Sequence, residues 1–403
     1  MADTSAALKI AEELVEALKK VNNSSPAEHF DILNRIDKLR TAVEEPYDVV
    51  LRYVDTWGTS GALYSLIQTG ALAKVPGSGS SITAQELADA VNVDVSAIQR
   101  LMNMVLVNGY FTQTAPDTYA HNGLSQLFHL DIFGGMFVLA MDFNAVFPKL
   151  PEYLKTHTPQ ELYDLKKSPF AYAFGKEGMT YYDVIDEDPE KRVLWNRMIQ
   201  QMERNMPISG MFPWESLKEQ VEKEPERAFF VDVGGGRGQA LLKLQEEIPG
   251  TYGGKLILQD LPHVLDTLKS EEIPNIEAMA YDIFTPQPVK NAHVYFLRRL
   301  LHDFYHDVCI DILKNTVLAM GPDSRLIVCD MIVPETVEVG GSKEVYWMDL
   351  NLMTMSGKEK SLKEFLHLFD TVGLELVKVW PSGMGATSQL ETRLKRSQRE
   401  IRK

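Results

Sequence analysis

The stretch Phe229–Glu247, FFVDVGGGRGQALLKLQEE, runs from an apolar segment through a glycine turn into a helix-forming segment without a break. That succession reads as a buried strand, a tight loop and a helix. Gly234, Gly236 and Gly238 form G-x-G-x-G around Gly235, and Gln239 stands where the dinucleotide fingerprint has its last glycine. Glycine lets the backbone turn sharply and approach a ligand closely. A tight strand-to-helix turn would use the same residues, so the loop needs corroboration from its surroundings.

Working outward, short β-rich runs alternate with helical segments: AFFVDV, KLILQD, NIEAMAYD, AHVYFLR, RLIVCDMIV and ELVKVW. Five or six such strands predict an α/β fold with a parallel, doubly wound sheet, whose ligands bind beyond the carboxyl ends of the strands. Asp260 ends KLILQD about 20 residues beyond the loop, where a carboxylate can accept hydrogen bonds from both hydroxyls of a ribose. Asp282 ends AMAYD, and with Ile283 it offers an acceptor and an apolar face to an adenine. Singly, each aspartate reads as a helix cap or turn former. Three strand-end features in register predict a nucleoside-bearing cofactor, and the absent last glycine disfavours a nicotinamide dinucleotide.

Composition narrows the partners. The 403 residues suffice for two to three units, and 45% of them are hydrophobic. A formal charge of −15 and a pI near 5.1 make nucleic acid a poor partner, and the basic ending RLKRSQREIRK reads as a solvated tail. Two cysteines, Cys309 and Cys329, exclude a disulfide framework and a multi-cysteine zinc site. No apolar run of about 18 residues appears, so no membrane span is expected. The segment MADTSAALKIAEELVEALKK lacks the apolar block of a secretory signal, and Leu8, Ala11, Leu14, Val15 and Leu18 suggest an amphipathic helix instead. A cytoplasmic protein is the expectation.

Residues from about 25 to 165 read as mostly helical. SITAQELADAVNVDVSAIQRLMNMVLVNGYFTQTAPDTYAHN orders two helices before two short β-prone pieces, as a winged helix does. Its second helix carries only Arg100 among mostly apolar side chains, which predicts packing against protein rather than DNA. Farther on, Trp195, Met198, Met202 and Met206 recur at spacings of three and four and share a helix face. Core packing explains such a stripe, and a position between two domains would make it a pocket wall.

The motifs VDVGGGRGQ, LQDLP, YDIF, LRRLLHDF and GKEKS, the last followed by a helix ending in TVGLEL, occur in one order along the chain. In that order the chain resembles the class I S-adenosylmethionine-dependent O-methyltransferases of the caffeic-acid and acetylserotonin type, in their fungal secondary-metabolite branch. The resemblance covers nearly the whole chain. It implies a Rossmann-like sheet in 221–403 that binds S-adenosyl-L-methionine, a helical winged-helix-like dimerisation domain in 1–165, and connecting helices with a substrate-pocket wall in 166–220. It also implies a homodimer and a small hydroxylated substrate. Gly234, Gly235 and Gly236 would contact the methionyl part of the cofactor, Asp260 the ribose and Asp282 with Ile283 the adenine. Arg298 stands where the family often has a lysine near the cofactor. His302 matches the catalytic base, and Asp330 and Glu359 match its flanking acids. Trp195, Met198, Met202 and Met353 are the candidate substrate-lining residues. Arg299 and Phe304 replace tryptophans common in plant members, and KEKS stands for KERT.

Methyl transfer asks mainly that an oxygen nucleophile be aligned behind an electrophilic methyl group with a lone pair exposed. No metal is required, and no metal-ligand cluster is apparent. With a phenol near pKa 10 and imidazole near 6.5, complete proton transfer to His302 before methylation would cost about 5 kcal/mol. A carboxylate on the other ring nitrogen, from Asp330 or Glu359, would lower that cost. Proton transfer concerted with methyl transfer would lower it too. In an isolated VYFLRRLLHDFYHD, Val294–Asp307, His302 could instead simply open a helix capped by Asp303. Its place after the fourth strand of the sheet favours function, whereas His306 is expected to be exposed and His293 structural. Two rivals remain: a methyltransferase-like pericyclase that uses the sulfonium electrostatically, and a winged-helix regulator with a degenerate pocket.

Overall fold

The computed structural model describes residues 4–21, 26–77, 79–201, 207–338, 341, 343–383 and 385–401. The chain forms two compact units, Met1–Lys149 with Tyr182–Gln201, and Leu150–Tyr181 with Met202–Lys403. This partition differs from the division at 165 and 220 expected from the sequence, because the chain crosses between units three times.

In the first unit, strands β1 (Ile82–Thr83), β2 (Phe111–Ala115) and β3 (Thr118–His121) form a small antiparallel sheet in the order β1-β3-β2. Helices Ala84–Val91 and Val95–Val107 precede the β2–β3 hairpin, which completes the winged-helix arrangement. Thr83 and Glu86 form a reciprocal capping box at the first helix, and Asp94 caps the second. Ile98, Met102 and Val105 of the second helix are fully buried against Leu63, Leu66 and Ile67. Those three side chains mark the helix's core face, and among its other positions Arg100 is the one basic side chain, fewer than a DNA reader would carry.

The second unit holds β4 (Ala228–Val233), β5 (Lys255–Asp260), β6 (Glu277–Ala280), β7 (Val294–Arg298), β8 (Arg325–Val333), β9 (Lys360–Ser361), β10 (Leu374–Pro381) and β11 (Thr387–Leu394). The main sheet runs β10-β11-β8-β7-β4-β5-β6, with β9 paired to β8. Strands β4 to β8 are mutually parallel, while β11 is antiparallel to both its neighbours. Side chains alternate between two cores: Tyr295, Leu297, Leu326 and Val328 point to one, Val294, Phe296, Ile327 and Cys329 to the other. Helices on both faces cover them, as a doubly wound sheet demands.

Three expectations change. The sheet is mixed rather than all-parallel, because TSQLETRL forms the interior strand β11. Its polarity hides it from a hydrophobic pattern, yet Gln389 and Thr392 are fully buried with partners in place. Gln389 donates to the carbonyl of Ile208 at 2.8 Å and accepts from the Phe212 amide at 3.0 Å, and Thr392 donates to the carbonyl of Leu326. Asp282 lies two residues beyond its strand. Asp303 starts no long helix: Leu301–Asp303 is a single 3-10 turn, and the helix His306–Val317 begins after Tyr305.

Candidate active site

Every residue of β4 is buried, and the chain turns directly from Val233 into the glycine loop. Gly234 and Gly236 both have positive φ, 68° and 59°, a region that side chains with a Cβ rarely occupy. A Cβ at Gly235 would collide with the Asp232 carboxylate and with Leu258. The Gly236 amide donates to Asp260 Oδ2 at 2.8 Å, and the Leu261 amide donates to Oδ1 at 2.7 Å. The acid at the end of β5 is thereby joined to the loop at the end of β4, with lone pairs left on both oxygens. Burial raises the Asp260 pKa against the effect of those two amides.

Asp282 is exposed, and its Oδ1 accepts from the Phe284 amide at 3.0 Å, while Ile283 is half-buried beside it. The loop, Asp260 and the Asp282–Ile283 pair thus stand at the carboxyl ends of three adjacent strands. This edge fits a nucleoside with a charged tail: small residues allow close approach, and carboxylates are able to accept from hydroxyl or amine groups.

Asp232 was not singled out by the sequence reading. It is 1% exposed, and its Oδ2 has no hydrogen-bond partner among the described residues. Burial pushes its pKa up to about 7, Arg298 opposes that, and Asp260 adds to it. One acid inside an otherwise apolar strand was the available signal.

Around His302 the contacts are closer. The turn after β7 buries the imidazole to 5% exposure, and His302 Nδ1 lies 2.9 Å from Glu359 Oε1, itself 1% exposed. Nε2 lies 3.5 Å from Asp303 Oδ1, too far for a good hydrogen bond. Desolvation alone would lower the histidine's pKa, but Glu359, Asp303 and Asp330 together raise it above the ordinary value. Glu359 is itself aimed from its main chain, since its amide donates to Asp349 Oδ1 at 2.8 Å.

Asp330 does not take Nδ1. Its Oδ1 accepts from the Arg299 amide at 2.9 Å, and Arg299 adopts a positive φ of 50°. Burial pushes the Asp330 pKa up to about 7, with His302 lowering it and Glu359 raising it. Arg298, Arg299, His302, Asp330, Glu359 and Thr387 line one small cavity. Asp330 Oδ2, Glu359 Oε2 and Thr387 Oγ1 have no hydrogen-bond partner among the described residues. An imidazole whose Nδ1–H is taken by a carboxylate can accept a proton at Nε2, and the neighbouring negative charge then favours the imidazolium.

The substrate-lining candidates fall in both units. Trp195 and Met198 are buried in the first unit, where Trp195 meets Tyr182 edge to face at 6.0 Å. Met353 is half-buried in the helix Glu344–Thr354 and is not among the residues lining the cavity at His302. Met202 and Met206 lie outside the described residues. His293 is fully buried, and burial pushes its pKa down to about 4, whereas His306 is half-buried and stacks on His367.

A family profile for the O-methyltransferase domain matches residues 147–375. The O-methyltransferase hmp5 of Hypomyces subiculosus is 39% identical over 394 residues, covering 96% of this chain and 97% of its own. The chain belongs to the O-methyltransferase family. The O-methyltransferase kntB of Aspergillus niger is a further relative, 32% identical over 85% of this chain and 83% of its own. Among solved structures, OxaC in complex with SAH and oxaline superposes with a TM-score of 0.83 at 26% identity, over 97% of this chain and 100% of that one. A structure described as a pericyclic reaction enzyme superposes with a TM-score of 0.81 at 25% identity, over 98% and 100%. This O-methyltransferase is thus a fungal secondary-metabolite type with a Rossmann-like sheet, and the His302 turn lies inside the matched domain. Among its described residues no single helix is long and apolar enough to cross a membrane.

Proposed function

We propose that this O-methyltransferase transfers the methyl group of S-adenosyl-L-methionine to a hydroxyl, phenolic in type, of a small aromatic or polyketide metabolite, with His302 as general base. The observation that carries the reading is the buried His302–Glu359 contact at 2.9 Å, one strand away from the glycine loop. Gly234, Gly235 and Gly236 would border the methionyl part of the cofactor, Asp260 would accept from the ribose, and Asp282 with Ile283 would hold the adenine. Arg298 would balance the charge of Asp232 beneath them. When bound, the cofactor supplies an electrophilic methyl group.

Glu359 holds the Nδ1–H tautomer, which leaves the Nε2 lone pair for the substrate hydroxyl. As that oxygen becomes nucleophilic, the proton moves to Nε2. Glu359 and Asp303 then face the two sides of the imidazolium, while Asp330 adds field from the cavity. A raised histidine pKa narrows the gap to a phenol, so the cost of proton transfer falls below the about 5 kcal/mol of unperturbed groups. Trp195, Met198, Met202 and Met353 remain the proposed apolar lining for the substrate.

The same proposal includes a homodimer. On helix Pro46–Gln68, Tyr47, Val50, Val54 and Trp57 repeat at helical spacing and are 55–72% exposed in the single chain. An apolar stripe of that size invites a partner, and a second copy is the one the family resemblance supports. A cytoplasmic location accompanies it, consistent with two unpaired, buried cysteines.

The test is to incubate the protein with methyl-labelled S-adenosylmethionine and a panel of fungal phenolic extracts, then to identify the labelled product by mass spectrometry. Label in an ether oxygen's methyl group, with stoichiometric release of S-adenosylhomocysteine, supports the reading. The likeness to the pericyclic reaction enzyme favours one second reading. In it the sulfonium stays intact while Arg298, Arg299 and His302 polarise a carbonyl, and substrate rearranges with no S-adenosylhomocysteine released.

A further inference from the structure

The turn that carries His302 is held from one side by four consecutive residues. A Cβ on Gly357 would come within 2.7 Å of the His302 carbonyl oxygen. The Lys358 amide donates to that same oxygen at 2.7 Å. Glu359 meets the imidazole. Lys360, 3% exposed, sends its ammonium to the carbonyls of Leu301 at 2.7 Å, Phe304 at 2.9 Å and Lys358 at 2.9 Å.

An ammonium has three protons, and here each has one main-chain oxygen. Two of those oxygens flank His302 in sequence, and the third belongs to the segment that presents Glu359. A buried cation costs desolvation energy that an apolar side chain of equal length would avoid, so packing alone does not account for a lysine here. Its donors hold the turn and the acid strand in fixed register.

We propose that Lys360 is a positioning residue for the base: its ammonium, held by three main-chain oxygens, locks the turn Leu301–Asp303 against the segment that presents Glu359. Glu359 then reaches Nδ1 because Lys360 has fixed where the imidazole begins. The inference rests on His302 being the base.

The two ways in which Lys360 could influence His302 have opposite signs. As a mere nearby cation it disfavours the imidazolium, so its removal would raise the His302 pKa. As a positioning residue it secures Glu359, so its removal lowers that pKa while Asp303 and Asp330, the other acids facing the ring, stay in place. Selective ¹³C labelling of the nine histidines, with the His302 signal assigned by its absence in His302→Ala, reads this pKa in the full-length protein without any substrate. We expect Lys360→Met to lower the His302 pKa by about half a unit or more. Turnover of labelled S-adenosylmethionine with the phenol panel should fall about 10- to 100-fold, as a misplaced catalytic group does. Lys360→Arg, which keeps charge and donors, should restore both within threefold.

Lys360→Gln retains two donors and decides the matter should the methionine variant fail to fold; it should move the pKa in the same direction. An unchanged or raised His302 pKa in a folded variant overturns the proposal. Failure of both neutral variants to fold also overturns it, because Lys360 would then be a stability element. Should His302→Ala keep full turnover, the base assignment itself falls. Should that variant be inactive while Lys360→Met matches the wild type, only the present inference falls.

Discussion

His302 Nδ1 and Glu359 Oε1 lie 2.9 Å apart although 57 residues separate them in the chain. Both are nearly fully buried, so their electrostatic interaction is little screened by water. The pairing brings the carboxyl end of β7 and the start of β9 into one chemical unit.

The most direct consequence concerns His302 itself. His302→Ala should bind S-adenosylmethionine within about threefold of the wild type by calorimetry, since the glycine loop and Asp260 are untouched. Its turnover should fall about 10²- to 10⁴-fold, the usual contribution of a general base. Near-normal methylation by this variant would remove His302 from the mechanism.

Glu359→Gln tests the sign of the charge effect. A base must be neutral, so wild-type kcat should rise with pH through a limb above the ordinary histidine value near 6.5. Without the carboxylate that limb should move toward lower pH, while kcat on the plateau falls because the imidazolium loses its partner. The pH profile of kcat measures both. A limb that stays in place would break the link between Glu359 and the histidine.

Asp330 predicts a pH dependence of stability. Its pKa of about 7 in the folded protein lies above the unfolded value near 3.9. The folded state therefore binds the extra proton between those values, and the stability it contributes is fully present below the unfolded pKa and lost as pH rises through about 7. His302, also raised, contributes with the same sign. Asp330→Asn, whose amide oxygen can still accept from the Arg299 amide, should flatten the fall in Tm between about pH 4 and pH 7. An unaltered slope in thermal melts would contradict the assignment.

Asp260→Ala should weaken S-adenosylmethionine binding about 10- to 100-fold, the loss expected when hydrogen bonds to a charged group are removed. Since Asp260 also accepts from Gly236, the loop should loosen in hydrogen exchange. Calorimetry showing unchanged affinity would argue that the ribose sits elsewhere.

Gly235→Ala places a methyl group against the Asp232 carboxylate and Leu258, both of them buried in the sheet. Thermal melting should reveal a destabilised protein, and cofactor affinity should drop with it. A variant with wild-type Tm would mean that the loop is less tightly packed against β5 than it is here.

Much of this was legible along the chain because it is written in local periodicities. AFFVDV and RLIVCDMIV are apolar enough to be buried on both faces, and their strand bounds agree with the structure. Glycines that must take positive φ, and an acid ending the next strand, mark the loop and Asp260 without knowledge of any distant contact. The position of His302 after β7 follows from the same counting.

Other features depend on residues far apart in sequence. TSQLETRL reads as a polar segment until Ile208, Phe212 and Leu326 are seen to supply its hydrogen bonds. Which acid serves His302 was open between Asp330 and Glu359. Folding resolved the contact geometrically, giving Glu359 the ring nitrogen and Asp330 the Arg299 amide. Asp232 stands out in the sequence as a lone acid in an apolar strand, but its burial and the charge of Arg298 near it are tertiary facts. Local pattern governs which side chains face a core or a strand end, since that follows from backbone geometry. The partner each buried polar group finds is set by long-range packing, which no window of neighbouring residues contains.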